Sequence, residues 1–231
     1  MTVSIVVPCY NLQQGWEKIV FSNYQSFCSR TGVPVSLILV MDGAVPEPSA
    51  IAFLTEKISA IKLVTYPINA GKGYAIRQGV KEAKGDIIIY TDVDFPYTEN
   101  SLHAVYQSLA NDECDVAVGI KNDAYYEHVP AVRNFISRGL RFCIRLFLSV
   151  PITDTQCGLK GFKKEVTALF LQTTINRYLF DLEFIRNCFK DKKFRMKTIP
   201  LTLKDNVHFS KVNYRILFSE SVNFLRLLTK R

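Results

Sequence analysis

Gly85-Asp86-Ile87-Ile88-Ile89-Tyr90-Thr91-Asp92-Val93-Asp94 is the stretch on which the reading of this 231-residue chain turns. Four consecutive apolar or aromatic residues after a Gly-Asp turn predict a buried strand over Asp86–Tyr90. Alternate residues of an extended chain point the same way, so Asp92 and Asp94 emerge on one side of it. Two converging carboxylates with nothing basic beside them in the sequence suit a hard divalent cation, Mg²⁺ or Mn²⁺, with positions left open for phosphate oxygens. Acidic residues that end a strand are also ordinary turn material. The pattern therefore gains its weight from what surrounds it.

Apolar runs and helical periods alternate on both sides. Strands are predicted at Val3–Pro8, Val35–Val40, Ile61–Tyr66 and Asp115–Gly119, and helices at Gln14–Arg30, Glu47–Ile58, Lys72–Ala83 and Glu99–Leu109. In the third of these helices Ala75, Ile76, Gly79, Val80 and Ala83 share one face. Such a succession of strand and helix implies an α/β fold with a mostly parallel central sheet flanked by helices. In sheets of that kind ligands sit beyond the carboxyl ends of the strands. Asn11, Asp42, Asn69, Asp92 and Asp94 all fall at or just past predicted strand ends and should converge on one edge. Gly71 and Gly73 allow close backbone approach, the helix that starts at Lys72 favours an anion at its N-terminus, and Lys72 adds a point charge.

Composition bounds the rest. With 48% hydrophobic residues the chain can bury one sizeable core, and its net charge of +8 asks for an anionic partner. No run approaches the roughly 20 apolar residues of a membrane span. The opening Met-Thr-Val-Ser-Ile-Val-Val-Pro reads as a core strand rather than a signal peptide. The 6 cysteines lack the paired close spacing of a zinc site or a disulfide framework, which fits a cytoplasmic protein. No motif of interleaved aromatic and basic residues points to nucleic acid.

Beyond about residue 120 the character changes. Arg133–Leu148 is predicted to be helical, with Arg138, Arg141 and Arg145 forming a cationic stripe. Helices are also expected at Arg177–Phe189 and Asn213–Leu228, with a strand at Arg195–Leu203 between them. Tyr214, Leu217, Phe218, Ser221, Leu225 and Leu228 make one broad face of the last helix. With Arg215, Arg226 and Lys230 elsewhere on it, residues 206–231 read as a basic amphipathic tail suited to an anionic membrane surface, following a domain over residues 1–205.

Several segments together resemble glycosyltransferase family 2. Val3-Ser4-Ile5-Val6-Val7-Pro8-Cys9-Tyr10-Asn11 is similar to the family's opening strand. Asn69-Ala70-Gly71-Lys72-Gly73-Tyr74-Ala75-Ile76-Arg77-Gln78-Gly79 is similar to its Asn-x-Gly-Lys-Gly-x-Ala-x-Arg-x-Gly loop and helix, and Gly85 to Asp94 to its metal-site strand. Three segments resemble, more narrowly, the branch of dolichyl-phosphate mannose synthases, dolichyl-phosphate glucosyltransferases and their bacterial polyprenyl-phosphate relatives. They are Arg133 to Gly139, Phe180-Asp181-Leu182-Glu183, and Asp154-Thr155-Gln156-Cys157-Gly158-Leu159-Lys160-Gly161-Phe162. The resemblance implies the GT-A fold, a Mg²⁺ or Mn²⁺ cofactor held by Asp92 and Asp94, a nucleotide-diphospho-sugar donor (a UDP-sugar favoured) and inverting transfer to a polyprenyl phosphate. It further implies that Pro8, Tyr10 and Asn11 flank the nucleotide, that Asp42 contacts base or ribose, and that Asn69, Gly71, Lys72 and Gln156 belong to the donor site. The chain departs from the family at Met41-Asp42-Gly43-Ala44, where members commonly carry Asp-Asp-Gly-Ser.

The acceptor can be argued from the residues. A sugar hydroxyl needs a general base, whereas a phosphate is already anionic and needs positioning and charge neutralisation. No Glu-Asp pair opens a helix at the distance after Asp94 where hydroxyl-directed relatives keep their base. Arg133 and Arg138 are available for bidentate phosphate contacts. Asp154 is either a general base or the partner that orients one of these arginines. Transfer to a saccharide hydroxyl in surface-polysaccharide assembly is the competing reading. A protein of the first kind would be cytoplasmic, docking on the membrane face.

Overall fold

The structure, a computed structural model, describes residues 1–121, 157–205 and 214–229, together with Gly139, Ile144, Ile152 and Thr155; for residues 214–218 and 229 the description is of the backbone alone. Among the described residues seven strands form one sheet: β1 (Val3–Cys9), β2 (Val35–Asp42), β3 (Ile61–Tyr66), β4 (Ile87–Tyr90), β5 (Val116–Lys121), β6 (Lys160–Lys163) and β7 (Met196–Leu201). Their order across the sheet is β3-β2-β1-β4-β6-β5-β7. Every pairing is parallel except the two made by β6, which runs antiparallel between β4 and β5. The helices are α1 (Trp16–Thr31), α2 (Pro48–Lys57), α3 (Lys72–Glu82), α4 (Glu99–Ala110), α5 (Thr167–Leu171), α6 (Phe180–Asp191) and α7 (Tyr214–Thr229). This is the expected α/β architecture with a mostly parallel central sheet, and the predicted elements before residue 121 all exist within two residues of their expected ends.

Period-two alternation sorts the strands onto two cores. Val3, Ile5 and Val7 of β1, Leu37 and Leu39 of β2, and Ile87 and Ile89 of β4 meet α1, α2 and α4. Val6, Ile38, Val40, Ile88 and Tyr90 face the other way, onto α3, α5 and α6. Helix α3 lies close over the sheet because Gly79 has no side chain: a Cβ there would stand 2.3 Å from Val6 Cγ1. The turn into α4 is capped by Thr98, whose hydroxyl accepts from the Ser101 N–H at 3.3 Å.

Two elements correct the sequence reading. β6 is a central strand where no strand was predicted, and the short helix α5 follows it. The predicted tail helix exists as α7, but Leu227 is buried and Phe224 packs against the second core, while Ser221 and Leu225 are exposed. The packed face is therefore rotated from the one read off the sequence, and Glu220 ties the helix to the domain by accepting from the Leu179 N–H at 2.9 Å. Apart from Gly139 and Ile144, the predicted helix Arg133–Leu148 lies outside the described residues. No helix among the described residues is long and apolar enough to cross a membrane.

The chain winds from β1 outward to β3 and then returns to place β4 on the other side of β1. That reversal opens a crevice beyond the carboxyl ends of β1 and β4, the position where open α/β sheets take their ligands.

Candidate active site

Asp92 and Asp94 follow β4 at this crevice. The Phe95 N–H donates to the Asp92 carbonyl at 3.0 Å and closes the turn that carries them. Phe95 takes a φ of 42°, a left-handed conformation that strains a bulky residue and is held here by burial of the ring. Asp94 is exposed. Loss of hydration around its carboxyl and the nearby Asp92 charge push Asp94 above the usual carboxylate range, against the pull of Lys72 and Lys204. Two carboxylates that repel in this way form a place where a cation relieves the charge.

Lys72, the first residue of α3, reaches across to Asp92, with Nζ 2.5 Å from Oδ1. Burial by itself would lower the Lys72 pKa; Asp92 and then Asp181 outweigh it and hold the ammonium above the usual lysine range. The other Asp92 oxygen faces Gly158, where a Cβ would stand 2.1 Å from Oδ2. Glycine is required there by contact with the carboxylate itself.

Asp42, at the end of β2, is buried and shapes the loop before α3. Its carboxylate accepts from Asn69 Nδ2 at 2.8 Å, the Ala70 N–H at 2.6 Å and the Gly71 N–H at 3.0 Å. An Asp42→Ala variant leaves these donors without an acceptor and should lose about 3 kcal/mol in urea unfolding, a measurement that separates this structural duty from any contact with ligand. The two glycines read as allowing close backbone approach do so here against the chain's own backbone. A Cβ on Gly71 would lie 2.5 Å from the Asn176 carbonyl oxygen, and one on Gly73 2.6 Å from that of Ile175. Buried Arg77 secures the same loop by donating to the Ile175 carbonyl at 2.7 Å and to Asn176 Oδ1, while Glu183 accepts from the N–H groups of Thr174 and Ile175 at 2.8 and 2.9 Å. The Tyr74 N–H of the first α3 turn donates to the Asn176 carbonyl, so this helix terminus is already partly satisfied.

Pro8 lies near the carboxyl end of β1, with Tyr10 and Asn11 exposed just beyond it. The structure thus brings together Asp42, Asn69 and Gly71 on one side, and Lys72, Asp92 and Asp94 on the other. Arg133, Arg138, Asp154 and Gln156 lie outside the described residues.

A sequence model of glycosyltransferase family 2 matches residues 4–170, a span that contains β1 to β6 and all of these strand-end groups. The chain belongs to glycosyltransferase family 2. It is a glycosyltransferase, and solved glycosyltransferase structures share its GT-A fold. It is 24% identical, over 97% of its length and 72% of the other, to a dolichyl-phosphate beta-glucosyltransferase of Trichomonas vaginalis. It is 29% identical, over 80% of its length, to the Drosophila melanogaster dolichyl-phosphate beta-glucosyltransferase, of which it spans 62%. Among solved structures, mannosyl-3-phosphoglycerate synthase of Rubrobacter xylanophilus superposes with a TM-score of 0.74 at 16% identity, covering 99% of this chain and 72% of that one. Glucosyl-3-phosphoglycerate synthase of Mycobacterium tuberculosis, solved with Mn²⁺ and uridine diphosphate, superposes with a TM-score of 0.61 at 16% identity, covering 95% and 74%.

For this family member the donor set agrees with a hard cation. Among the described residues no group of three or more His, Cys, Asp or Glu converges. Asp92 and Asp94 supply two carboxylates on one turn, the number that leaves Mg²⁺ or Mn²⁺ most of its positions for water and phosphate. The chemistry of this donor set, carboxylate oxygens on one turn at the ligand edge of the sheet, is what favours such a cation.

Sequence reading missed the groups behind this pair. Buried Tyr97 accepts from Cys157 Sγ at 3.0 Å and from the Gly158 N–H at 3.4 Å, and so carries the turn that touches Asp92. Lys160 and Asp181 are also buried, side by side. Asp181, set among Tyr178, Leu179, Phe180 and Leu182, was the available signal, whereas Lys160 stands among glycines and further lysines and gave none.

Proposed function

We propose that this glycosyltransferase takes a hexose from a nucleotide-diphospho-sugar, a UDP-sugar favoured, and moves it with inversion to a polyprenyl phosphate. The observation that carries the reading is the strand-end pair Asp92 and Asp94 with Lys72 at 2.5 Å from Asp92, at the mouth of the β1/β4 crevice. The chain's similarity to dolichyl-phosphate beta-glucosyltransferases supports the acceptor class.

Asp92 and Asp94 would hold the Mg²⁺ or Mn²⁺, which when bound supplies Lewis-acid neutralisation of the charge on the leaving nucleoside diphosphate, worth several kcal/mol. Lys72 is positioned by Asp92 and stays protonated, so it presents a second positive charge to the same diphosphate. Asp42 holds the Asn69–Gly71 loop that walls the nucleotide side, with Pro8, Tyr10 and Asn11 beside it. Arg133 and Arg138 orient the acceptor phosphate, which attacks the anomeric carbon as an anion and requires no base to remove a proton. Asp154 orients one of those arginines, and Gln156 meets the donor. Docking on the cytoplasmic face of an anionic membrane would supply the lipid.

Transfer of radiolabelled glucose from UDP-glucose to a short-chain polyprenyl phosphate, compared with saccharide acceptors, tests the reading. Arg133→Ala and Arg138→Ala should each raise the acceptor KM at least tenfold while leaving the donor KM within twofold. Equal losses on the donor side would move both residues to the diphosphate. Transfer to saccharides alone would make a hydroxyl the acceptor.

A further inference from the structure

We propose that the buried Lys160–Asp181 pair is a positioning device for Asp92, fixing from behind the direction in which that carboxylate meets the donor's cation. Lys160 and Asp181 are positioning residues here; neither touches the donor. The inference rests on the reading of Asp92 as a metal ligand.

The geometry runs through two routes. Lys160, on β6, is 0% exposed, and its Nζ donates to the Cys157 carbonyl at 2.5 Å. That bond fixes the turn whose next residue, Gly158, abuts Asp92 Oδ2. The same ammonium lies 3.1 Å from Asp181 Oδ1 and 5.8 Å from the centroid of the Tyr90 ring. Asp181 Oδ1 also accepts from Tyr90 Oη at 2.6 Å, and Tyr90 is the last residue of β4, two before Asp92. On the front side Lys72 holds Asp92 Oδ1. Asp92 Oδ2 is therefore restrained by the pair through the Cys157–Gly158 turn, and the strand that carries Asp92 is restrained by it through Tyr90.

Stability alone gives little reason for such a pair. Taking both charges out of water is costly, and apolar residues of similar volume at such positions are often as stable or more so. A methionine on β6 and a leucine on α6 would fill the second core among Phe162, Phe170 and Phe184. What they would lack is the directed bond to the Cys157 carbonyl and the anchor on Tyr90. Groups that orient a ligating carboxylate commonly alter metal affinity by about 10- to 100-fold when removed.

The test is Mn²⁺ affinity with UDP present, read by electron paramagnetic resonance on three proteins: wild type, the double variant K160M/D181L and the single variant Tyr90→Phe. The double variant leaves neither charge unpaired, and Tyr90→Phe deletes one hydrogen bond at constant ring volume. A folded K160M/D181L with a cooperative melt should bind Mn²⁺ about 10- to 100-fold more weakly than wild type. Tyr90→Phe should bind it severalfold more weakly. A merely structural pair would shift the melting temperature and leave the affinity of the folded protein unchanged, and that result overturns the inference. If the double variant does not fold, Tyr90→Phe decides: weakened binding supports positioning, and wild-type affinity overturns it. A wild-type protein that takes up no Mn²⁺ overturns the metal reading and this inference together, a failure distinct from unchanged affinity in the variants.

Discussion

Asp94→Ala should lower kcat/KM about 10³-fold while the protein melts at the same or a slightly higher temperature. The exposed side chain leaves no core cavity when truncated, so the fold has little to lose. Its pKa is raised by desolvation and by Asp92. A carboxyl whose folded value lies above its unfolded one contributes stability at low pH and loses it as pH rises through the folded value. At neutral pH the ionised group therefore weighs slightly against the folded state, and alanine relieves that. The loss of rate follows from withdrawing one of two carboxylates from a cation that offsets several kcal/mol of leaving-group charge, at about 1.4 kcal/mol per factor of ten. Turnover at saturating Mn²⁺ and differential scanning calorimetry on the same preparation separate the two effects. Wild-type turnover would remove Asp94 from the metal site.

How much of this was legible beforehand depended on whether the signal was local. β3 was expected and found at Ile61–Tyr66, and α3 begins at Lys72 as its periodicity predicts. Asp92 and Asp94 could be placed on the ligand edge because parallel strands put all their carboxyl ends together. β6 was invisible for a physical reason. Lys160-Gly161-Phe162-Lys163 combines a charge with a glycine, both poor strand residues, and the carboxylate that makes Lys160 tolerable in the core is Asp181, on a helix of the other layer. The glycines of the Lys72 loop were read as allowing close backbone approach, and two neighbours that the structure places there, Ile175 and Asn176, come from a segment far away in sequence. Close approach was legible in the sequence, and these particular neighbours were not, because the contact is non-local. Likewise the last helix showed one obvious apolar face, and packing chose the neighbouring one through Phe224 and Leu227.

Gly158→Ala should be the most selective lesion in the molecule, costing kcat/KM at least 100-fold with a small change in stability. The φ of Gly158 lies outside the left-handed region, so alanine is not strained by its backbone there. The nearest heavy atom to the new methyl group would be Asp92 Oδ2 at 2.1 Å, with Asp92 Cγ at 3.1 Å and Lys72 Nζ at 3.5 Å. Nothing in the backbone has to give way, because the obstacle is the end of a side chain that can rotate. Rotation is cheap for the fold and expensive for the site. It breaks the 2.5 Å pairing with Lys72 and changes the direction in which the carboxylate meets a cation. A misplacement of about 1 Å in a catalytic constellation is enough for a 10²-fold loss. Steady-state kinetics with UDP-glucose, the Mn²⁺ titration and a thermal melt should therefore show activity and metal affinity falling together while the melt stays within a few degrees. A variant that kept its activity would mean that Asp92 has another productive orientation, and the contact between Gly158 and the carboxylate would then be packing without consequence for the chemistry.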